Sequence, residues 1–599
     1  MIPESDLTDL ERSVCQAAAS GTLIDLRLRG QDSRLQAPDA NRDGGGTIRA
    51  EFLRDLLTGS NARSGTATVQ AVKLSGARIS GVLDLEAAKL ICPLLLQSCY
   101  FEHAVNLTEA QAPVVRFRGC HLPRLVAAQL ETRGDLEFSH GCDASLVSLR
   151  GAHIGGALNL DGATLNNPGD VALDGHGLAV GQWMSCGRGF AANGEIFLIN
   201  ARIGGALSFT GAQLHNPNDW VLDAQGATVG YALFLGSSLG YSGGFAAHGG
   251  IRLIGMHVNG FVCCWDATFD NPGGLALAAL GLTVKEELLF QEGFTAFGEI
   301  NLRSAQIGSV LNLDGATLTN VGGTVLTAER ISVGQAILCR EGFTAHGKIN
   351  LTGARIDAVL DFTGAVLSNS DDSTLTLAHL RTPSLILRPV TAPKEVDLRH
   401  ANLGRLVDDE VTWPTVLRLQ NFTYEILDEQ PALAVDKRLT WLRRDPDGYL
   451  PHSYEQLADA YRRSGREEAA RRTAIAKQWH RRTVLHPANR LWNWVLYLTV
   501  GYGYRTWQAA LWLLALLAVG TCVFDHAHPA HMVVTKQPAP PFNGVAYAAD
   551  VLIPIINLGG QDAWVPRGSA LYWSWVLAGA GWMLTTVVVA GLTGILRRN

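Results

Sequence analysis

Gly151-Ala152-His153-Ile154-Gly155-Gly156-Ala157-Leu158-Asn159-Leu160-Asp161-Gly162-Ala163-Thr164-Leu165 returns as Asn200-Ala201-Arg202-Ile203-Gly204-Gly205-Ala206-Leu207-Ser208-Phe209-Thr210-Gly211-Ala212-Gln213-Leu214. The string begins again at Ala305 (AQIGSVLNLDGATL) and at Ala354 (ARIDAVLDFTGAVL), with a degraded copy at Met256 and an early one at Ala77. The steps Ala152 to Ala201, Met256 to Ala305 and Ala305 to Ala354 are each 49 residues. Ala201 to Met256 is 55, which places an insertion of six near Gly236–Tyr241. A second marker, Gly189-Phe190, Gly244-Phe245, Gly293-Phe294 and Gly342-Phe343, steps by 55, 49 and 49 in the same frame. A fixed period of this length is the signature of a solenoid.

The unit is too rich in Gly, Val, Leu and Thr for helix pairs, since a Gly inside a helix costs about 1 kcal/mol against Ala. Short apolar alternations such as Ile349-Asn350-Leu351 and Val359-Leu360-Asp361-Phe362 predict strands of three to five residues. The pairs Asn167-Pro168, Asn216-Pro217 and Asn271-Pro272 predict turns between them. Ser98-Cys99, Gly119-Cys120 and Gly141-Cys142 add a finer step of 21 and 22 residues, close to half of 49. Each 49-residue unit is therefore expected to be two coils of a parallel β-helix, with roughly 15 coils over 68–425 and, at about 4.8 Å per coil, a rod roughly 70 Å long. Coils bury their apolar faces only against their neighbours, so the ends need caps. Leu160 and Leu313 fall on the same inward place in two units.

Net charge is −6, which gives no sign of a nucleic-acid partner. Ten cysteines include no CxxC pair and no Cys/His cluster at zinc spacing, so no metal site is expected. Cys99, Cys120 and Cys142 read as small apolar residues stacked inside successive coils, in preference to a metal site or redox chemistry. Cys263 and Cys264 are adjacent and point to opposite faces, so they do not pair. Free buried thiols fit a reducing compartment. Met1–Gly30 has no basic start and no apolar segment, so no secretory signal is expected.

After Tyr424 the pattern turns helical. Ser453–Tyr461 followed by Ser464–Ala470 reads as one hairpin of tetratricopeptide type. Residues 451–490 hold eight Arg and one Lys against three Glu and one Asp. Arg462, Arg463, Arg471, Arg472, Arg481 and Arg482 form a basic cluster expected to lie on membrane lipids. Two apolar runs follow, 507–524 and 570–596, each long enough to cross the hydrocarbon. Trp492, Trp494, Trp507, Trp573 and Trp575 suit the interface belts. The basic block before the first run and Arg597-Arg598 after the second put both ends in the cytoplasm. The linker 525–569, with only Lys536 and Arg567, becomes the outer loop.

The recurring A-x-[IL] triplets, such as Ala354-Arg355-Ile356 and Ala365-Val366-Leu367, resemble those of pentapeptide-repeat solenoids, with steps that drift between five and six. Further strings are Arg49–Arg54 with Leu56-Leu57, Leu417–Tyr424 (LRLQNFTY), Trp441–Asp445, Gly501–Arg505 and Asp550–Gly559. Together they resemble a family of bacterial, mainly actinobacterial, membrane proteins labelled either pentapeptide-repeat proteins or membrane-associated oxidoreductases. The second label implies redox chemistry, but no residue here carries it over. The expected fold is mainly β: a right-handed parallel β-helix, then a helical hairpin and two transmembrane helices. The domains are an N-terminal helical cap (1–67), the solenoid (68–425), the basic hairpin (426–490) and the membrane anchor (491–599).

Chemical motifs are weak. Thr499–Gly503 spells a potassium-channel filter but precedes the first span instead of lying between two, so a channel is a remote alternative. Asp39–Gly44 opens like a calcium loop, yet Glu51 and Ile48 miss the ligand and apolar positions by one and two places. His248 and His346 align with Asn193 and Phe297, which reads as a turn position and not a catalytic column. A second aligned position holds Glu86, Asp161, Thr210, Trp265, Asp314 and Thr363, without clustered acids. Gly175-His176-Gly177 lacks the rest of a dinucleotide fingerprint. No catalytic residue and no cofactor is assigned. The functional expectation is a membrane-anchored binding or scaffolding platform with a protein partner on the solenoid surface, the alternative being an oxidoreductase with an unfamiliar site.

Overall fold

The computed structural model describes residues 6–27, 46–60, 69–237, 243–368, 375–428, 433–483, 506–535, 541–553 and 555–596, with His486, Asn493, Trp494 and Tyr497 between them. Two compact units emerge: Met1–Leu433 with Arg444–Pro446, and Ala434–Arg443 with Asp447–Asn599.

The first unit is a parallel β-solenoid of about 15 turns. Backbone register sets its frame. His153 pairs with Ala179, Ala179 with Arg202, Arg202 with Thr228 and Thr228 with His257, so consecutive coils hold 26, 23, 26 and 29 residues. From His257 the pairings to Thr283, Gln306, Ser332 and Arg355 restore 26, 23, 26 and 23. Two coils therefore make each 49-residue unit, and the six inserted residues fall in the 29-residue coil, part of it outside the described residues.

Coil length alternates for a local reason. The Asn-Pro pairs do not separate strands, as the sequence suggests. They form bulges inside the long strands Thr164–Asp174, Gln213–Asp223 and Thr268–Ala278, where the register shifts. In each bulge the asparagine Nδ2 donates to a carbonyl four residues on: Asn167 to Val171 (2.7 Å), Asn216 to Trp220 (2.9 Å), Asn271 to Leu275 (2.9 Å). That bond closes the loop and lets the ladder resume. The next coil meets the bulge with a glycine at positive φ. A Cβ on Gly194 would stand 2.5 Å from Asn167 O, and one on Gly249 2.5 Å from Asn216 O.

The core is continuous along the rod. Leu160 and Leu313 are fully buried, and so are the marker residues Phe190, Phe245, Phe294 and Phe343. Edge-to-face contacts run Phe209–Phe245–Phe269–Phe294 at 6.2, 5.9 and 5.0 Å. Cys99, Cys120 and Cys142 stack in successive coils, with Cys99 N on Cys120 Sγ at 3.4 Å and Cys120 N on Cys142 Sγ at 3.2 Å. At the N-terminal end, helices α1 (Asp9–Ser20) and α2 (Ala50–Thr58) precede the regular coils. Ile24–Asp25 pairs with the strand Val72–Ser75, and Leu57 O accepts from Ile91 N. These contacts satisfy ladder groups that an uncapped end would leave open.

The second unit is helical: α3 (Val435–Leu442), α4 (Pro451–Arg463), α5 (Glu467–Arg481), α6 (Thr506–Ala527), α7 (Gly544–Leu552), α8 (Gly560–Ala563) and α9 (Ser569–Leu596). Among the described residues, one helix, Trp507–Ala527, is long and apolar enough to cross a membrane. The second apolar run is helical as α9, and side chains 587–596 lie outside the described residues. The segment read as an outer loop contains α7, capped by Asn543 Oδ1, which accepts from Val545 N and Ala546 N at 3.0 and 3.1 Å. Its Tyr547, Ala548, Val551 and Leu552 bury against Phe524 of α6 and Leu577 of α9. Thr499–Gly503 and Asp39–Gly44 lie outside the described residues.

Candidate functional site

The basic cluster divides. Arg462, Arg463, Arg471, Arg472 and Arg481 are exposed on α4 and α5. Arg462 pairs with Asp459, and Arg472 Nε lies 3.2 Å from Glu468. Arg482 corrects the sequence reading, being 4 % exposed. Its guanidinium sits 4.4, 4.2 and 5.3 Å from the rings of Trp479, Trp494 and Tyr497, and donates to Asn493 Oδ1 at 2.6 Å. A guanidinium is planar and weakly hydrated, so an aromatic cage can take it out of water. Sequence spacing could not show this, because Asn493, Trp494 and Tyr497 follow the arginine by more than ten residues.

His248 and His346 lie on strands, not in turns. Their column runs Asn193, His215, His248, Asp270, Phe297, Thr319, His346 and Ser368, one residue per coil. His248 Nδ1 meets Asp270 Oδ2 at 3.0 Å and His346 Nδ1 meets Ser368 Oγ at 2.7 Å. Asp161 and Asp314 serve the ladder. Asp161 Oδ1 accepts from Gly187 N (2.9 Å), and Asp314 Oδ1 from Arg340 N (2.7 Å), each one coil on. Among the described residues, no group of three His, Cys, Asp or Glu could hold a metal ion. Burial pushes the Cys120, Cys186, Cys264 and Cys339 thiols up, and Cys99 is raised first by its contact with Cys120. Thiols held this way are poor nucleophiles.

An open groove of about 1170 Å³ runs along the rod from Lys89 to Gly230. Its rim is the first residue of one short strand in each coil: Gln111, Glu131, His153, Ala179, Arg202 and Thr228. Gln111 Nε2 reaches Glu131 Oε2 at 3.2 Å. Two residues further on, four successive coils turn the corner on Gly155, Gly181, Gly204 and Gly230. A Cβ there would stand 2.5 Å from Arg133 O, 2.4 Å from Gly155 O, 2.3 Å from Gly181 O and 2.1 Å from Gly204 O. Without side chains the corner backbones close up and the groove stays open. Around the corner lies a slot of about 260 Å³ between Trp183 and Phe234, floored by Ala206 and Ser208.

A third cluster is electrostatic. Asp223, almost fully buried, holds Arg252 Nη1 at 2.7 Å, and Trp220 covers that guanidinium at 4.0 Å from its ring centre. Burial and the charges of Asp219 and Asp223 push the Glu195 carboxyl up to about 7.

Groove, slot and acidic cluster each gather residues from coils 20 to 29 positions apart. The repeated Gly-Gly of Gly155-Gly156 and Gly204-Gly205 was the one sequence signal for the groove corner. No protein-family model, no curated protein and no solved structure matches this chain.

Proposed function

We propose that the chain is a membrane-held platform whose solenoid presents the Lys89–Gly230 groove to a protein partner. The supporting observation is that groove: it spans many coils, has a mixed polar rim and a corner that is glycine in four successive coils, and so offers an extended docking line. Right-handed winding belongs to the reading, because parallel β connections take that hand almost without exception. So do the resemblance to the actinobacterial membrane family, two spans formed by α6 and α9, and both chain ends in the cytoplasm, in keeping with the basic cluster before α6. The oxidoreductase reading finds no support in the buried thiols.

The test is capture from native membranes with the groove intact or altered. Glu131→Ala, Arg133→Ala, His153→Ala and Arg202→Ala combined should lose a protein that the unaltered chain retains. Capture that ignores the four changes would sink the platform reading. Reporters fused near Met1 and after Asn599 should face the cytoplasm and one near Pro540 the outside.

A further inference from the structure

The slot around the corner from the groove has a chemistry of its own. Trp183 is 43 % exposed although it stands beside a packed strand, and Tyr231 is 58 % exposed. Phe234 and Phe261 are half-buried. Exposed rings on a regular rod invite a bland explanation, single surface aromatics. Two facts argue against it here. Three of the rings order one another: Tyr231–Phe261 and Phe234–Phe261 meet edge to face at 5.8 and 5.5 Å. They are also spaced by the coil register. Met184, Leu207, Leu233 and Val262 pair in sequence, so Trp183, Ala206, Ala232 and Phe261 share one column over four successive coils, and Phe234 stands two places on, in the column of Ser185 and Ser208. Trp183 and Phe234 therefore wall a gap whose floor, Ala206 and Ser208, is small.

The polar lining is compact. Ser185 Oγ donates to Asp161 Oδ1, Gly187 N donates to the same oxygen, and Arg188 Nε lies 3.6 Å from Asp161 Oδ2. Ser208 Oγ and Thr210 Oγ1 are 3.1 Å apart. Arg188 is 62 % exposed and can swing toward a ligand. A hydroxyl-rich ligand could exchange donors and acceptors with these groups.

We propose that this face binds a linear neutral glycan lying along the rod axis. Hexose rings present an apolar C–H face and a hydroxyl edge. The faces stack on Trp183, Phe234 and Phe261, since aromatic rings carry negative faces and large apolar area. The hydroxyls meet Ser185, Ser208, Thr210, Asp161 and Arg188. The coil rise of about 4.8 Å puts Trp183 and Phe234, two coils apart, about 10 Å from each other along the rod, a span that a linear chain of hexose units bridges. A nucleic acid fits less well, because its phosphates would meet the Asp161 carboxylate without a basic track. A strand-like peptide fits less well, because the backbone groups of these coils are already spent on the ladder, as in Leu158 N to Trp183 O (3.0 Å) and Leu207 N to Ala232 O (2.9 Å). The site is separate from the groove, and its ligand does not depend on the platform reading.

The experiment uses the full chain in detergent micelles and fluorescein-labelled maltohexaose, cellohexaose, mannohexaose and chitohexaose, followed by fluorescence polarisation. At least one hexaose should bind saturably. Trp183→Ala and Phe234→Ala should each weaken it at least tenfold, Trp183→Phe should keep most of the affinity, and Val321→Ala, exposed on a distant coil, should change nothing. Ser208→Arg fills the slot and should abolish binding with the fold intact by circular dichroism. No binding of any of the four sugars overturns the proposal. So does glycan binding that survives Trp183→Ala and Phe234→Ala. Preferential binding of a labelled oligonucleotide or peptide, lost in the same variants, would assign the slot to that class instead and overturn the glycan. Partner capture on the groove is scored by different residues, so failure of one reading leaves the other intact.

Discussion

Replacing Gly204 by alanine tests the corner that opens the groove. The new Cβ would stand 2.3 Å from Gly181 O and 3.0 Å from Gly181 C. That is about 1 Å short of ordinary contact, on a coil spacing of about 4.8 Å. The two coils must part, and two ladder bonds cross that corner: Gly204 N to Val180 O at 2.8 Å and Gly205 N to Gln182 O at 2.6 Å. Overpacking of a filled site costs about 1–3 kcal/mol, and each weakened bond adds about 1 kcal/mol. A local cost of about 3 kcal/mol follows. Gly281→Ala is the control. Gly281 has positive φ but open space around it, and the matching corners carry Asn200, Ser304 and Arg330 at φ 56, 57 and 54. Its cost is the left-handed backbone alone, about 1 kcal/mol. A repeat array does not unfold in one step, so a melting temperature would blur the comparison. Amide hydrogen exchange resolves single coils. In Gly204→Ala the amides of 180–205 should exchange about 100-fold faster, and in Gly281→Ala those of 258–284 by less than about tenfold. Equal effects from the two substitutions would refute the claim that a backbone clash holds the corner to glycine.

Leu160→Asp buries an unpartnered charge and should cost several kcal/mol, read as protease cleavage within the coil 153–178. His248→Ala removes a half-exposed contact with Asp270 and should shift stability by under about 1 kcal/mol. Glu195 has a folded pKa near 7, above its ordinary value of 4.5, so the folded chain holds that proton more tightly than the unfolded one. Its stabilising effect is complete below about pH 4.5 and is lost as pH rises through 7. Glu195→Gln should flatten that dependence, by about 1 kcal/mol after allowing for solvent screening, in denaturation series at pH 5 and pH 8. Changing Arg462, Arg463, Arg471, Arg472 and Arg481 to Gln in a chain ending at Leu498 should release it from anionic vesicles, at about 1 kcal/mol per charge. Arg482→Gln should leave vesicle binding nearly unchanged and lower thermal stability, because it empties the Trp479–Trp494–Tyr497 cage.

The sequence by itself determined what repeats. The 49-residue step, the Gly-Phe marker and the cysteine step were enough to deduce double coils, an inward place for Leu160 and Leu313 and a buried thiol stack, because period and alternation are local properties of the chain. It also located the two apolar runs and the basic block from composition. It did not determine what the coils build side by side. Asn-Pro looked like a turn, since nothing in the dipeptide says that Asn167 Nδ2 will close a bulge inside a strand. Arg482 looked like its exposed neighbours until Trp494 and Tyr497 folded over it. Groove and slot needed register, the lateral pairing of residues 20 to 29 positions apart. One residue of slip would turn each side chain to the other face of its strand, so the sites exist only once the ladder has set that register.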